Sequence, residues 1–231
     1  GAGDFESYYS RLYGKRWPAL KGALLGPADS VGYGAGLLEP YYLDRGSVIA
    51  AETLRLGEAG TVLDACAAPG GKTLVIASRM GPDARILANE LSSERRRRLV
   101  DVLNRHLGGP LRERVTVSGF DAAAQGGRAS ERGRFAAVLL DAPCSSERHV
   151  LQDTAALEQW TEARPRFLAR RQWALLSSAF LLLEEGGSLV YATCALSAEE
   201  NDGTAGRLVK TYGEAVEPDP SDFPEAQATE W

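Results

Sequence analysis

Cysteine is scarce in this chain, with Cys66, Cys144 and Cys194 the only three among 231 residues. They lack the paired spacing of a zinc site and the density of a secreted disulfide scaffold, so no metal centre is expected and all three should be reduced thiols. Long apolar runs are also missing. None approaches the roughly 20 residues that a bilayer span requires, and no basic-then-apolar signal segment opens the chain, so a soluble protein without membrane contact is expected. There is no internal repeat and no long low-complexity tract. Excess positive charge is absent too: the formal net charge is −5, which argues against a nucleic-acid partner. Net charge is a poor guide to patches, however. Arg95 to Arg98 and the group Arg164, Arg166, Arg170 and Arg171 concentrate positive charge, while 214–230 carries much of the acid and could mask a basic face.

What remains is an ordinary globular composition, 44% hydrophobic and 25% charged, enough for one good core plus an arm. The stretch Val138-Leu139-Leu140-Asp141-Ala142-Pro143-Cys144-Ser145-Ser146 organises the rest. A continuous apolar run of the kind buried on both faces of a parallel sheet ends there in a carboxylate, a proline and a thiol. Ser188 to Cys194 repeats the pattern and delivers a second thiol at a strand end. Ligand sites gather at the carboxyl ends of such strands.

Taken in order, Phe5, Tyr8, Tyr9, Leu12, Tyr13, Trp17 and Leu20 recur at mostly three- and four-residue spacing, predicting an amphipathic helical arm broken near Gly14 and Pro18. Packing explains this aromatic stripe better than base stacking does. Residues 26–36 read as a Gly- and Pro-rich loop, and 47–56 as a helix with Ser47 as its N-cap. Strands are predicted at 61–65, 84–89, 114–120, 135–141 and 188–194, with helices at 72–79, 93–107 and 166–183 between them. Such alternation predicts an α/β fold, a Rossmann-like doubly wound, mostly parallel sheet. Ser197-Ala198-Glu199-Glu200 reads as a capping box opening a further helix to about Tyr212, and Val216 hints at one more strand. The expected domains are an arm and loop over 1–40, a catalytic domain over 41–215 and an acidic Pro-rich segment over 216–231.

The loop after the first strand of that sheet, Cys66-Ala67-Ala68-Pro69-Gly70-Gly71-Lys72, lets a ligand approach the backbone. A phosphate-binding P-loop needs glycine where Cys66 stands, so Gly71-Lys72-Thr73 does not complete one, and the dinucleotide fingerprint is absent. S-adenosylmethionine, which carries no phosphate, is the cofactor left. Glu90 ends the next strand about 20 residues after the glycines, where an acid is placed to bind ribose hydroxyls. Asp121, after the third strand, would reach the adenine amino group, and Asp141 completes three strand-end acids in register.

These residues resemble the Nol/Nop/Sun-type RNA cytosine-5 methyltransferase family. The cofactor motif is similar at Ala65 to Lys72, the fourth motif at Asp141-Ala142-Pro143-Cys144-Ser145, and the sixth at Thr193-Cys194-Ala195-Leu196 followed by Glu199-Glu200-Asn201. The likeness spans about 41–212. Tyr8-Tyr9, Trp17-Pro18, Glu39 to Tyr42 and Ser146 to His149 look most like the branch that includes the mitochondrial ribosomal-RNA enzyme. Family domains close with a further strand hairpin where this chain has Pro218, Pro220 and Pro224, so an incomplete sheet is expected.

The resemblance implies a class I methyltransferase in which Cys194 attacks carbon 6 of cytosine, activating carbon 5, while Cys144 assists product release. Asp141 would stabilise the charged adduct and Lys72 would help. RNA, ribosomal in preference to transfer RNA, is the implied partner, with the target cytosine unpaired or extruded. Arg95, Arg97, Arg98, Arg105 and Arg148 are the candidate RNA contacts. With no appended RNA-binding domain in view, an auxiliary RNA-binding protein is an expected partner. The implied location is cytoplasmic for a bacterial source and the mitochondrial matrix for a eukaryotic one. The competing reading, a non-catalytic RNA-binding or ribosome-assembly protein on the same fold, has no use for both thiols.

Overall fold

The computed structural model describes residues 1–219, and most of the segment expected at 216–231 lies outside the described residues. The described chain groups into two compact units. One is formed by residues 29–142 and 174–192, the other by 1–28, 143–173 and the chain from 193 onward.

The first unit holds a two-stranded antiparallel hairpin, β1 (Ser30–Tyr33) and β2 (Tyr41–Asp44), and a five-stranded sheet. The sheet strands are β3 (Ala59–Asp64), β4 (Asp83–Asn89), β5 (Val115–Ser118), β6 (Phe135–Asp141) and β7 (Leu183–Ala192). Their order is β5-β4-β3-β6-β7 and every neighbouring pair is parallel. The doubly wound α/β fold is therefore present, with the chain reversing direction across the sheet at β3. Burial on both faces is what the apolar run of β6 requires: Ala137, Val138, Leu139 and Leu140 are wholly inaccessible. Leu74, Val75 and Ile76 of the helix Gly71–Arg79 and Leu99 and Leu103 of the helix Ser93–His106 join Val62, Ile86 and Leu139 in one core. Each large side chain buried there contributes about 1.5–3 kcal/mol.

Several boundaries differ from the sequence expectation. β1 lies within the stretch 26–36 that reads as a loop, and its partner β2 follows it, because both strands are only four residues long and Gly32 and Gly34 mask the first. The helix expected at 47–56 spans Arg45–Thr53 with Asp44, not Ser47, at its N-cap and no side-chain capping bond. β7 starts earlier than expected and ends at Ala192, so Thr193 and Cys194 lie on a loop beyond the strand. Among the described residues no helix is long and apolar enough to cross a membrane.

In the second unit the arm is two helices, Ala2–Tyr13 and Trp17–Leu25, joined by the 3-10 turn Gly14–Arg16. The break at Gly14 is as predicted, but Pro18 sits in the first turn of the second helix, where its missing N–H is harmless. Phe5, Tyr8, Tyr9 and Trp17 bury their rings with Val150 and Trp160, and the Tyr9 and Trp17 rings stack with centroids 5.1 Å apart. The aromatic stripe is core, not a platform for bases. Glu147–Gln152, Thr154–Glu158 and the start of the helix Ala163–Leu182 complete this unit with the helix Asp202–Tyr212. That last helix begins four residues later than the capping box predicts. Ser197 Oγ does accept from the Glu200 N–H, at 3.3 Å, but the Glu200 side chain is drawn away to other partners and the turn does not propagate. Val216 follows a 3-10 turn and forms no strand.

Candidate active site

Strand order reverses between β3 and β6, and ligands bind α/β sheets in the crevice at such a point. A cleft of about 240 Å³ opens there, walled by Asp64, by Cys66 to Pro69, Gly71, Lys72 and Asp141, and by Tyr41 to Asp44 and Ser47. The loop can turn at this point only with glycines. Gly70 sits at φ 119°, outside the range of ordinary side chains, and a Cβ on Gly71 would come within 2.7 Å of the Tyr41 ring.

Two carboxylates face this cleft. Asp141 accepts from Lys72 Nζ at 2.7 Å, so the lysine at the start of its helix is held by an opposite charge rather than left against the dipole. Asp64 is only 1% exposed. Burial pushes its carboxyl up to about 7, against the pull of the hydrogen bond from Thr73 Oγ1 at 2.6 Å, with Asp141 adding to the rise. Its second oxygen, Oδ1, has no partner among the described residues. A buried acceptor of this kind is rare in a finished core and fits a site that a ligand completes. The Cys66 thiol is pushed up to about 12, chiefly by burial and then by Asp64, Glu90 and Asp141, so it stays neutral.

Gly70, Glu90 and Asp121, all expected to hold the cofactor, are not among the residues walling this cleft. Glu90 is buried, accepts from the Ser92 N–H at 2.9 Å and lies 3.4 Å from Arg95. Asp121 is exposed and caps the short helix Ala122–Gln125 through the Ala123 N–H.

The second unit carries the thiols. Cys144 Sγ and Cys194 Sγ are 3.0 Å apart without a disulfide, and Ser146 Oγ lies 3.6 Å from the first and 3.3 Å from the second. Contact with Cys194, then burial, raises the Cys144 thiol above its ordinary range, while the exposed Cys194 is open to a substrate. Ser146, at φ 52°, is the one non-glycine residue with positive φ among the described residues, a strained conformation that persists only where the surroundings enforce it.

Those surroundings are two carboxylates with no exposure, Glu147 and Glu200. Glu147 accepts from Ser145 Oγ in the first thiol loop, from the Leu196 N–H in the second at 3.0 Å, and from the Tyr9 hydroxyl of the arm. Glu200 accepts from the Ser145 N–H at 2.9 Å and from Gln172 Nε2 at 2.8 Å, and Gln172 also donates to the Pro143 carbonyl. Burial pushes the Glu200 carboxyl up and these donors pull it back. Asn201 closes the second loop by accepting from Thr193 Oγ1 and donating to the Ala195 carbonyl. Two thiols are thus fixed by a web anchored on both their loops, an arrangement suited to making and breaking one carbon–sulfur bond.

Residues 51–230 match the model of the family described as 16S rRNA methyltransferase RsmB/F. The chain belongs to that family. Ribosomal RNA small subunit methyltransferase F of Vibrio cholerae is 40% identical over 184 residues, 79% of this chain and 37% of that protein. The protein of the same name from Escherichia coli O139:H28 is 42% identical over 156 residues, 68% of this chain and 31% of its own length. The chain therefore spans about a third of the length of the curated relatives it matches. Among solved structures, NSun6 from Pyrococcus horikoshii with SFG superposes with a TM-score of 0.63 and 30% identity over 77% of this chain and 43% of that one. A methyltransferase homolog protein from Pyrococcus horikoshii, 22% identical, shares the fold with a TM-score of 0.70 over 89% of this chain and 77% of that one.

Within this RsmB/F chain the arginines expected to meet RNA divide into two groups. Arg95 donates to the Ala68 carbonyl at 2.9 Å, Arg105 pairs with Glu39, and Arg148 donates to the Gly26 carbonyl at 2.7 Å. Of these five, only Arg97 and Arg98 are exposed with no ion pair among the described residues. Asp64, Glu147 and Glu200 are the site residues that sequence reasoning missed. Asp64 had a signal, being an acid at the end of an apolar strand; the two glutamates lie inside quoted motifs but betray no role until the loops are folded.

Proposed function

We propose that this chain is an S-adenosylmethionine-dependent RNA methyltransferase that makes 5-methylcytosine in ribosomal RNA. The observation that carries the reading is the pair of thiols 3.0 Å apart, each on a loop that follows a sheet strand. The names of the bacterial relatives supply ribosomal RNA as the substrate class.

The cleft fits the cofactor by its own features: the Asp64 oxygen without a partner suits a donor such as the methionine ammonium, and Gly71 leaves room that a Cβ would fill. Bound S-adenosylmethionine supplies an electrophilic methyl group. Glu90 keeps a place in this reading as a ribose contact and Asp121 as an adenine contact. Carbon 5 of cytosine is a poor nucleophile, and a Cys194 thiolate adding to carbon 6 makes it enamine-like. Asp141, oriented by Lys72, hydrogen-bonds the ring and stabilises the charge that develops there. After methyl transfer a base removes the carbon 5 proton and Cys194 leaves, a step that Cys144 assists. Arg97 and Arg98 are placed to bear on RNA phosphates, and an auxiliary RNA-binding protein would supply further recognition.

The test is transfer of tritiated methyl groups to unmodified small-subunit ribosomal RNA and to transfer RNA, followed by nucleoside analysis. 5-Methylcytidine in the ribosomal RNA is expected. Label in another nucleoside, or none in either RNA, overturns the reading.

A further inference from the structure

The helix Ala163–Leu182 contains Arg164, Arg166, Arg170 and Arg171 and not one acidic residue in its 20 positions, in a chain whose net charge is −5. A helix face kept merely soluble mixes the two signs; this one does not. All four arginines are exposed, and no salt bridge or side-chain hydrogen bond engages the Arg164, Arg170 or Arg171 guanidinium among the described residues. Between them stands Phe167, 59% exposed. Arg164, Phe167 and Arg171 follow helical spacing of three and four residues, with Arg170 beside them, so one face offers a bare ring framed by cations. The helix Ser93–His106 differs: Arg95, Arg96 and Arg105 all reach partners in their own chain.

The position of this face is fixed by its neighbours. Gln172, next in sequence to Arg171, is buried and donates to the Pro143 carbonyl, one residue before Cys144. At the other end Arg166 lies near Glu199 on the loop after Cys194. Burial alone would raise the Glu199 carboxyl, but the Tyr8 hydroxyl, its own backbone and Ser197, helped by Arg166, hold it below its ordinary value. The face therefore belongs to the same rigidly bonded unit as the two thiols.

We propose that the Arg164-Phe167-Arg170-Arg171 face binds single-stranded RNA flanking the target cytosine, the guanidiniums on phosphates and the Phe167 ring stacked on a base. This rests on the RNA methyltransferase reading. Of the polyanions that three arginines attract, RNA is the one whose bases also use an exposed aromatic ring, because every base has a face to stack.

Fluorescence anisotropy with a short labelled single-stranded RNA containing cytosine tests it on the full chain, with cofactor affinity by calorimetry confirming that each variant is folded. Phe167→Ala should weaken RNA binding about tenfold and leave its salt dependence unchanged, while Phe167→Trp should restore it. Arg164, Arg170 and Arg171 changed together to Gln should lower the slope of log affinity against log salt by about 2, with single changes giving proportionate parts. Arg97→Gln with Arg98→Gln should have the smaller effect. Affinity and slope within error of wild type in both the Phe167 and the triple variant overturn the proposal, as does a loss confined to Arg97 and Arg98. If poly-glutamate loses affinity in these variants while RNA does not, the face serves an acidic protein and the proposal fails. A wild-type chain that neither binds nor methylates RNA defeats the activity reading itself, which separates the two failures.

Discussion

Replacing Asp64 with Asn tests whether the lone buried carboxyl in the cleft is completed by the cofactor. Its folded value of about 7 stands well above the ordinary 3.8, with burial the main cause. A carboxyl raised in this way adds stability that is fully present below its unfolded value and lost as pH rises through its folded value. The ligand-free protein should therefore lose stability from this group between about pH 4 and pH 7, by about 4 kcal/mol for a shift of about three units. An ammonium placed on the free oxygen reverses the balance by holding the carboxyl ionised, so binding must expel its proton. Most of a proton should be released for each cofactor bound at pH 6, and progressively less as pH rises through the folded value. Calorimetry in buffers of different ionisation enthalpy reads this number directly. Asp64→Asn keeps an acceptor for Thr73 but turns an amide toward the ligand, so release should vanish and affinity should fall at least about tenfold. Proton release that is unchanged in Asp64→Asn, or that grows with pH in wild type, refutes the assignment.

The thiols should fail differently when removed. Cys194→Ala should abolish methylation and leave no covalent species, whereas Cys144→Ala should accumulate an RNA–protein complex that survives denaturing electrophoresis; the opposite pattern reverses their roles. Glu147→Gln puts an amide against at least one of three donors and should lower stability by about 1–3 kcal/mol in urea titration, with a larger fall in kcat than in cofactor affinity. Equal and small effects on both would mean that the carboxylate only fills space. Gly71→Ala should drive a methyl group into the Tyr41 ring, costing about 1–3 kcal/mol of stability together with cofactor binding, and a melting temperature equal to wild type would contradict the close approach.

The sheet was legible because β6 is buried along nearly its whole length and carries an unbroken apolar run, while β3 and β4 keep short apolar stretches at Val62-Leu63 and Ile86-Leu87-Ala88, and the helix Ser93–His106 because its Leu99 and Leu103 recur at helical spacing. β1 and β2 were not, since strands of four residues with alternating exposure leave too little pattern beside a run of glycines. The cleft loop and both thiols could be located from motif spacing, and Asp141 from its place at a strand end. What could not be read was where lone pairs go. Glu90 and Asp121 occupy the expected strand ends, yet the Ser92 and Ala123 N–H groups take up their oxygens locally. Glu147 and Glu200 show no such role in sequence because most of their donors are remote, Tyr9 standing 138 residues from Glu147 and Gln172 28 residues from Glu200.

The carboxylate that receives Tyr9 has a consequence for modularity. Glu147 has two oxygens to share among the arm and both thiol loops. The N-terminal helix is therefore bound into the unit that carries the thiols: cutting the chain after Tyr13 would expose the Trp160 cluster and withdraw one of the donors that orient Glu147. Minimal versions trimmed to the Rossmann-like core should keep their sheet and lose the alignment of their cysteines. Substitutions along that first helix, far in sequence from either thiol, belong among the changes that tune the chemistry.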